Sequence, residues 1–539
     1  MQSFDLVVAG SGGAGLLAAL SAAVRGSKVA VLESQPLLGG TTAISGAYCW
    51  LPGNPFAKRM GFNDSRDQVL TYLQHLTLGT VARERLIAFV DEVPNLIDFM
   101  QQHLDLEMVC TTTPDYRSDL PGSGRGRTVH VGLFDTNRLG DLKAAIRWPR
   151  PTGGYPPVTH EEVGHLNGGN LEMATGVQAA IEERLATGVA GGGCALVAAL
   201  VDACVRHGVR FFTERRVVKL VERQGRITGV EALHLGEMER FDAERGVVLA
   251  NGGFEWNSDL WTDLVGVPFD GGPLTPPVSF GDNINLAMQA GARIGNMNGG
   301  VWMVPTFSIP GETYEGQPFM RAFLRRHLPG SIIVNRSGRR FTNEALNYND
   351  FAKELVKLDI KNYAFSNLPA YMIFDHEYLL KYPLLGPDVS TAIDDSWLTE
   401  ADSLEELAEK IGIDGAGLSA QVAEFNRDAR LGVDPVFQRG ENPWEIAMGD
   451  SDAPHPVLGP LVSPPYYALR IRLGSFGTKA GAVTDAHAKA LDFANRPIPG
   501  LYAVGNAAAA LTGQAYAGGG STLGPAMTFG FIAGRDAAA

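Results

Sequence analysis

Cysteine is scarce: Cys49, Cys110, Cys194 and Cys204 are the only four in 539 residues, and none belongs to a CxxC pair. That spacing argues against a disulfide framework or a thiolate metal site, and it predicts reduced, buried thiols in a cytoplasmic protein. Positive charge is also short. Lys plus Arg number 45 against 59 Asp plus Glu, a formal net charge of −14, which argues against nucleic acid or an anionic membrane as the main partner. No uncharged apolar run approaches the roughly 18 residues of a membrane span. Residues 1–10 carry no basic n-region, so no signal peptide is expected. Internal repeats and low-complexity tracts are absent as well.

What the chain has in excess is glycine, 65 residues. There is no G-X-Y period, so the excess must sit at particular backbone positions. The first cluster is the most informative. Phe4–Ala9 reads as a short apolar strand, Gly10-x-Gly12-x-x-Gly15 opens a small-residue helix from about Ala14 to Arg25, and Lys28–Leu32 reads as a second strand closing on Glu33. In this parallel β-α-β unit, Gly10 permits a tight turn, Gly12 lets the backbone approach a pyrophosphate, and Gly15 allows close helix–strand packing. The helix N-terminus offers free N–H groups to phosphates, and Glu33 can accept hydrogen bonds from ribose hydroxyls.

Further along, residues 60–105 are helical by pattern, and residues 111–175 read as loop-rich around Pro149, Pro151, Pro156 and Pro157. A helix is expected from Gly191, then a strand near Val209–Thr213 and a strand-rich run through Leu249. Glycine density rises again from Tyr467, so the expected architecture is α/β (α+β). A discontinuous Rossmann-like nucleotide domain (1–299 and 466–539) would carry an inserted α+β capping domain (300–465).

The second glycine cluster separates FAD from NAD. Leu38-Gly39-Gly40-Thr41-Thr42-Ala43-Ile44-Ser45-Gly46 follows Glu33 directly, placed to run back past a pyrophosphate toward an isoalloxazine. Near the C-terminus, Gly505-Asn506 ends a strand and Gly518-Gly519-Gly520-Ser521-Thr522-Leu523-Gly524-Pro525 opens a last helix. Such a helix N-terminus suits the edge of a flavin where negative charge collects on reduction. The cofactor expected is FAD, with no metal.

These segments (GSGGAG…LESQPLLGGTTAISG, GGGCALVAAL…VVLANGGFE and PGLYAVGN…TLGPAMTFGF) resemble the fumarate-reductase-like FAD superfamily. Within it, the chain is most similar to the 3-ketosteroid Δ1-dehydrogenases, over nearly its whole length. The resemblance implies a cofactor-binding set of Gly10, Gly12, Gly13, Ala14, Gly15, Glu33, Ser34, Gly40, Thr41, Thr42, Ser45, Gly46, Val217, Asn251, Gly252, Gly505, Asn506, Ser521 and Leu523. Fumarate enzymes carry a histidine-containing segment before the last strand. Here Gly474-Ser475-Phe476-Gly477-Thr478-Lys479-Ala480-Gly481 has none, which argues against a dicarboxylate substrate.

Desaturation beside a ketone needs neutral donors on the carbonyl oxygen, a base for the α-proton and a hydride acceptor. By resemblance, Tyr516 and the Gly520 N–H hold the ketone oxygen, Tyr348 abstracts the proton, and Tyr116 activates Tyr348. The family's proline after the first of these tyrosines is Ala517 here. Asn343 and Glu344 are expected to fix local structure, and Lys479 to be structural or flavin-adjacent. Trp302, Met303, Phe341 and Phe529 are apolar candidates for the pocket. The implied reaction is 1,2-desaturation of a 3-ketosteroid, with a steroid-like ketone and an unidentified electron acceptor as partners. Two alternatives stay open. One is a smaller cyclic ketone such as an oxocyclohexane carboxylate, which a basic pocket residue (Arg321, Arg325 or Arg326) would favour. The other is a non-catalytic binding protein on the flavoprotein fold.

Overall fold

A strand buried on both faces needs an unbroken apolar run, and the N-terminal segment supplies one. In the computed structural model, which describes residues 2–149, 155–167, 171–323, 325–382, 384 and 396–539, it forms β1 (Gln2–Ala9), α1 (Gly13–Ala23) and β2 (Val29–Leu32). β1 lies inside an eight-stranded sheet, between Glu237–Leu249 and β2, both parallel to it. Pro497–Ala503 pairs with the far side of Glu237–Leu249, and Arg210–Phe212 with the far side of β2. The register aligns Ala9 with Leu249 and Leu32, and Leu249 with Ala503. Four strands thus end in one row, and Gly10, Glu33, Asn251 and Gly505 lie just beyond it, where doubly wound sheets bind ligands.

α1 packs against the last helix, Leu523–Ala538, with their backbones in close approach. A Cβ on Gly530 would lie 2.3 Å from the Ala14 carbonyl oxygen, and one on Gly534 2.1 Å from that of Ala18. These two glycines, one helical turn apart, form the seam that brings the ends of both helices to the same crevice.

The second layer is a seven-stranded sheet in the order Gln317–Ala322, Val301–Tyr314, Tyr466–Thr478, Ala370–Asp375 and Ser331–Val334, with Gly272–Pro273 and Leu398–Ala401 also on Tyr466–Thr478. One face packs on Leu407, Leu418 and Phe425 of two helices, the other on Phe351 and Leu355. Tyr466–Thr478 is therefore central to this sheet. Sheet membership argues for drawing the inserted unit through Thr478 rather than ending it at residue 465, and we propose that boundary.

Helices Arg66–Thr77 and Arg83–His103 occupy the stretch expected to be helical. The loop-rich expectation for 111–175 needs correcting, because His160–Asn167 and Leu171–Thr187 are helical. The overlooked signal is a capping box. The Thr159 N–H donates to Glu162 Oε2 at 2.8 Å, and the Glu162 N–H donates back to Thr159 Oγ1 at 3.4 Å. Pro151 lies outside the described residues.

Candidate active site

The nucleotide end is built from backbone. Gly10 has φ +109°, and a Cβ there would lie 2.4 Å from the Ala250 carbonyl oxygen; a Cβ on Gly15 would lie 2.2 Å from the Gly10 oxygen. At Gly12 the nearest neighbour to such a Cβ is Thr42 Oγ1, 3.7 Å away, so this is the open face of the turn. The Gly13 N–H donates to Thr42 Oγ1 at 3.1 Å, while Ala14 follows it in the first turn of α1. Glu33 is buried and accepts from the Ser11 N–H (3.1 Å), Ser11 Oγ (2.6 Å), the Gln35 N–H (3.0 Å) and Ser34 Oγ (3.2 Å). Val217 is buried in the strand Arg216–Arg223, two residues after Arg215, whose N–H donates to the Glu33 carbonyl at 2.8 Å.

Gly40, Thr41 and Thr42 open the short helix Gly40–Ile44 beside this turn. Ser45 Oγ is committed locally, donating to the Thr42 carbonyl at 2.8 Å and accepting from the Ala47 N–H at 3.1 Å. Gly46 is walled by the rings of Tyr48 and Tyr155, each 3.0 Å from where its Cβ would be. Gly252 and Gly505 take positive φ, +78° and +62°, and Leu523 Cδ1 is 3.2 Å from a Gly13 Cβ position. Ser521 Oγ staples its own loop to Gly518, accepting from the N–H at 2.8 Å and donating to the oxygen at 2.7 Å.

The residues present fit a bound FAD by two observations. Both amide atoms of Asn251 and the Thr478 hydroxyl are buried without a hydrogen-bond partner among the described residues, a state costing about 1–3 kcal/mol per group unless a ligand satisfies them. A cleft bounded by Trp302, Thr478, Asn506, Ser521, Thr522 and Phe529 leads from the strand ends to the N-terminus of the last helix. Met303, by contrast, belongs to the apolar core under the second sheet, and Phe341 packs against that core.

The three expected tyrosines come together behind Trp302 and Thr522 of this cleft, both of which touch Tyr516. Ring centroids are 5.0 Å apart for Tyr348–Tyr516, 5.5 Å for Tyr116–Tyr516 and 5.9 Å for Tyr116–Tyr348. Each is held from the backbone. Tyr348 is the first residue of a helix capped by Asn347, whose side chain accepts from the Asp350 N–H at 3.0 Å. The Tyr116 N–H donates to the Ala517 carbonyl at 3.0 Å, and Tyr72 Oη donates to the same oxygen at 2.7 Å, tying Tyr116 to the loop of Tyr516. The neighbouring Asp115 is clamped by Trp50 Nε1 (2.8 Å) and Arg127 (2.6 Å); burial nevertheless pushes its carboxyl up to about 6.

Gly520 has φ +87°, and its Cβ would lie 2.1 Å from the Tyr48 carbonyl oxygen. Its carbonyl accepts from the Trp50 N–H at 3.1 Å, while its own N–H donates to no protein acceptor among the described residues. Burial raises the hydroxyls of Tyr116, Tyr348 and Tyr516 above the ordinary value of 10, so each is a neutral donor near neutral pH. That suits Tyr516 as a ketone donor and opposes Tyr348 as a base. Two weaker influences act the other way on Tyr116: its hydroxyl contact with Tyr348 and, smaller again, the buried cation Arg326.

Sequence reasoning left Arg326 unassigned beside Arg321 and Arg325. Arg321 is paired with Glu312 at 2.7 Å. Arg326 instead donates to the carbonyls of Leu346 and Phe323 and makes no carboxylate ion pair among the described residues, and burial pulls it down to about 9. Asn343 and Glu344 fix local structure: Glu344 binds Arg340 (2.7 Å) and Arg439 (3.2 Å), and Asn343 donates to Glu445 (2.9 Å). A second aromatic group was missed entirely. Tyr48, Tyr155, His130 and His160 pack together beside Gly46, with Tyr48 and His130 centroids 4.6 Å apart. Burial pulls His130 down to about 4.

Comparison with known proteins bears on this geometry. The family of FAD binding domains matches residues 5–523. The chain is 38% identical to 4-oxocyclohexanecarboxylate 2-dehydrogenase of Sinomonas cyclohexanicum, covering 100% of this chain and 93% of that protein. It is 34% identical to 3-oxosteroid 1-dehydrogenase of Mycobacterium tuberculosis, covering 99% and 98%. The crystal structure of 3-ketosteroid Δ1-dehydrogenase from Sterolibacterium denitrificans in complex with 1,4-androstadiene-3,17-dione superposes with a TM-score of 0.91 at 36% identity, covering 100% of both chains.

Proposed function

The chain belongs to the FAD binding domain family and is an FAD-dependent dehydrogenase, and we propose that it desaturates a six-membered cyclic ketone beside its carbonyl. The observation that carries this reading is the cluster of Tyr116, Tyr348 and Tyr516, centroids 5.0–5.9 Å apart, beside the unspent N–H of Gly520. Tyr516 Oη and the Gly520 N–H donate to the ketone oxygen and stabilise the enolate charge that develops there. Tyr348 takes the proton from the α carbon, and Tyr116, under the field of Arg326, steadies the phenolate that removes it. FAD, when bound, supplies the acceptor for the hydride that leaves the β carbon. The proton and the hydride depart from adjacent carbons, so a C=C bond forms with the carbonyl intact.

For a 3-ketosteroid, the α carbon is C2 and the β carbon C1. A second reading, desaturation of an oxocyclohexane carboxylate, is favoured by one specific observation: Arg326 is a buried cation beside Tyr116 with no carboxylate partner among the described residues. The test is turnover of androst-4-ene-3,17-dione and 4-oxocyclohexanecarboxylate in parallel, with an artificial electron acceptor and product identification by mass. Loss of two hydrogens from either ketone supports the reading and selects the substrate. Inertness toward both refutes it.

A further inference from the structure

Lys479 takes no part in the chemistry above, yet it is fully buried. Its Nζ donates to Asn349 Oδ1 at 2.8 Å and to the Gln514 carbonyl at 2.6 Å, and it lies 4.7 Å from the centroid of the Trp302 ring. Each contact leads to a proposed catalytic tyrosine. Asn349 follows Tyr348 in the first turn of its helix. Gln514 is two residues before Tyr516 in the glycine-rich loop. Trp302 meets the Tyr516 ring edge-on, with centroids 5.1 Å apart. The lysine backbone is itself pinned at both ends: its N–H donates to the Gly300 carbonyl at 2.6 Å, and its carbonyl accepts from the Ala510 N–H at 3.0 Å.

We infer that Lys479 is a positioning residue that sets the separation of Tyr348 and Tyr516 by bonding the two segments that carry them. The inference rests on the desaturase reading above. The energetics favour it over a purely structural role. Lys479 makes no carboxylate ion pair among the described residues, an amine buried in that way opposes folding, and burial indeed depresses its basicity well below that of an exposed lysine. A methionine would fill the same volume without that cost. The lysine's N–H donors are matched by the two acceptors, and the Trp302 π-face covers the side they leave.

Lys479→Met keeps the length and apolar stem of the side chain and removes its donors. With the ketone that turns over in the assay above, kcat should fall roughly tenfold to a hundredfold, as for a misplacement of about 1 Å between reacting groups. KM and the flavin-to-protein ratio should stay at the parent values, and the melting temperature should not fall. A merely structural lysine predicts the reverse: a lower melting temperature and an unchanged kcat for the folded flavoprotein. If Lys479→Met fails to fold, Lys479→Gln, which keeps a polar head on a stem one atom shorter and leaves the direct Asn349–Gln514 bond in place, should lower kcat in the same way. Unchanged kcat in the folded variant overturns the inference. Tyr516→Phe measured alongside separates the two levels. If it is as fast as the parent, the desaturase reading falls and this inference with it. If it is slow while Lys479→Met is at full rate, only the positioning role falls.

Discussion

Tyr516→Phe isolates one hydroxyl from everything else at the site. The ring is 5% exposed and packs against Trp302, Tyr116 and Tyr348 at 5.1, 5.5 and 5.0 Å, contacts that phenylalanine retains. The hydroxyl makes a long bond of 3.3 Å to Thr522 Oγ1 and also contacts the Tyr348 hydroxyl, all neutral groups. Losing it should change stability by no more than about 1 kcal/mol. The rate effect should be far larger. Removing one donor from a developing oxyanion costs about 2.7–4 kcal/mol of transition-state stabilisation, a factor of roughly 10²–10³ in kcat. The assay is steady-state turnover of the accepted ketone, with thermal melting and flavin content recorded on the same preparation. A slow enzyme with parental melting and full flavin is the expected outcome. A variant at parental rate refutes the assignment of Tyr516 to the ketone oxygen.

Gly520→Ala should destabilise by about 2–5 kcal/mol, because φ +87° is strained for an L-residue and the added Cβ would sit 2.1 Å from a backbone oxygen; parental melting with full flavin would contradict this packing. Arg326→Met should slow turnover near neutral pH and move the rising limb of the kcat–pH profile to higher pH, since the cation favours the phenolate of the Tyr116–Tyr348 pair. Arg326→Lys should restore part of the shift, and a profile unmoved in the methionine variant would exclude the electrostatic role. Burial pushes the Glu255 carboxyl from 4.5 up to about 7, so the folded chain holds this proton more tightly than the unfolded chain. Its stabilisation is complete below about pH 4.5 and is lost as pH rises through about 7, a change of about 3 kcal/mol. Melting curves of parent and Glu255→Gln at matched flavin loading should diverge across that window, and parallel curves would contradict the shift.

The β-α-β unit at the N-terminus was legible because its logic is local. A strand, three glycines at fixed spacing, a helix and an acid lie within it, and the structure shows that strand, helix and strand with Gly10 and Gly15 in close backbone contact at the turn. The tyrosines were legible only through resemblance. Tyr116, Tyr348 and Tyr516 are hundreds of residues apart, and no periodicity announces that the Ala517 carbonyl will accept from the backbone of Tyr116. Glycine density set the expected boundary before residue 466, whereas sheet membership favours the one proposed at Thr478. Gly474 and Gly477 belong to a strand of the second sheet, where Gly474 admits the Thr306 side chain, 2.4 Å from where its Cβ would lie, rather than to a nucleotide loop. Proline spacing likewise hid the helix that begins at His160, although the Thr159–Glu162 cap was present in the sequence. Arg326 and Lys479 could not be ranked among 45 Lys and Arg residues from sequence, because what marks them is burial with no carboxylate ion pair among the described residues.

The central claim, that this flavoprotein removes hydrogen from the carbons beside a cyclic ketone, is tested most directly by a single anaerobic turnover. The purified yellow protein is mixed with 4-oxocyclohexanecarboxylate or androst-4-ene-3,17-dione, with no other electron acceptor present. The flavin band should bleach with one of them, with one equivalent of the α,β-unsaturated ketone formed per flavin and the bleaching strongly slowed in Tyr516→Phe. A flavin that stays oxidised with both ketones would contradict the claim.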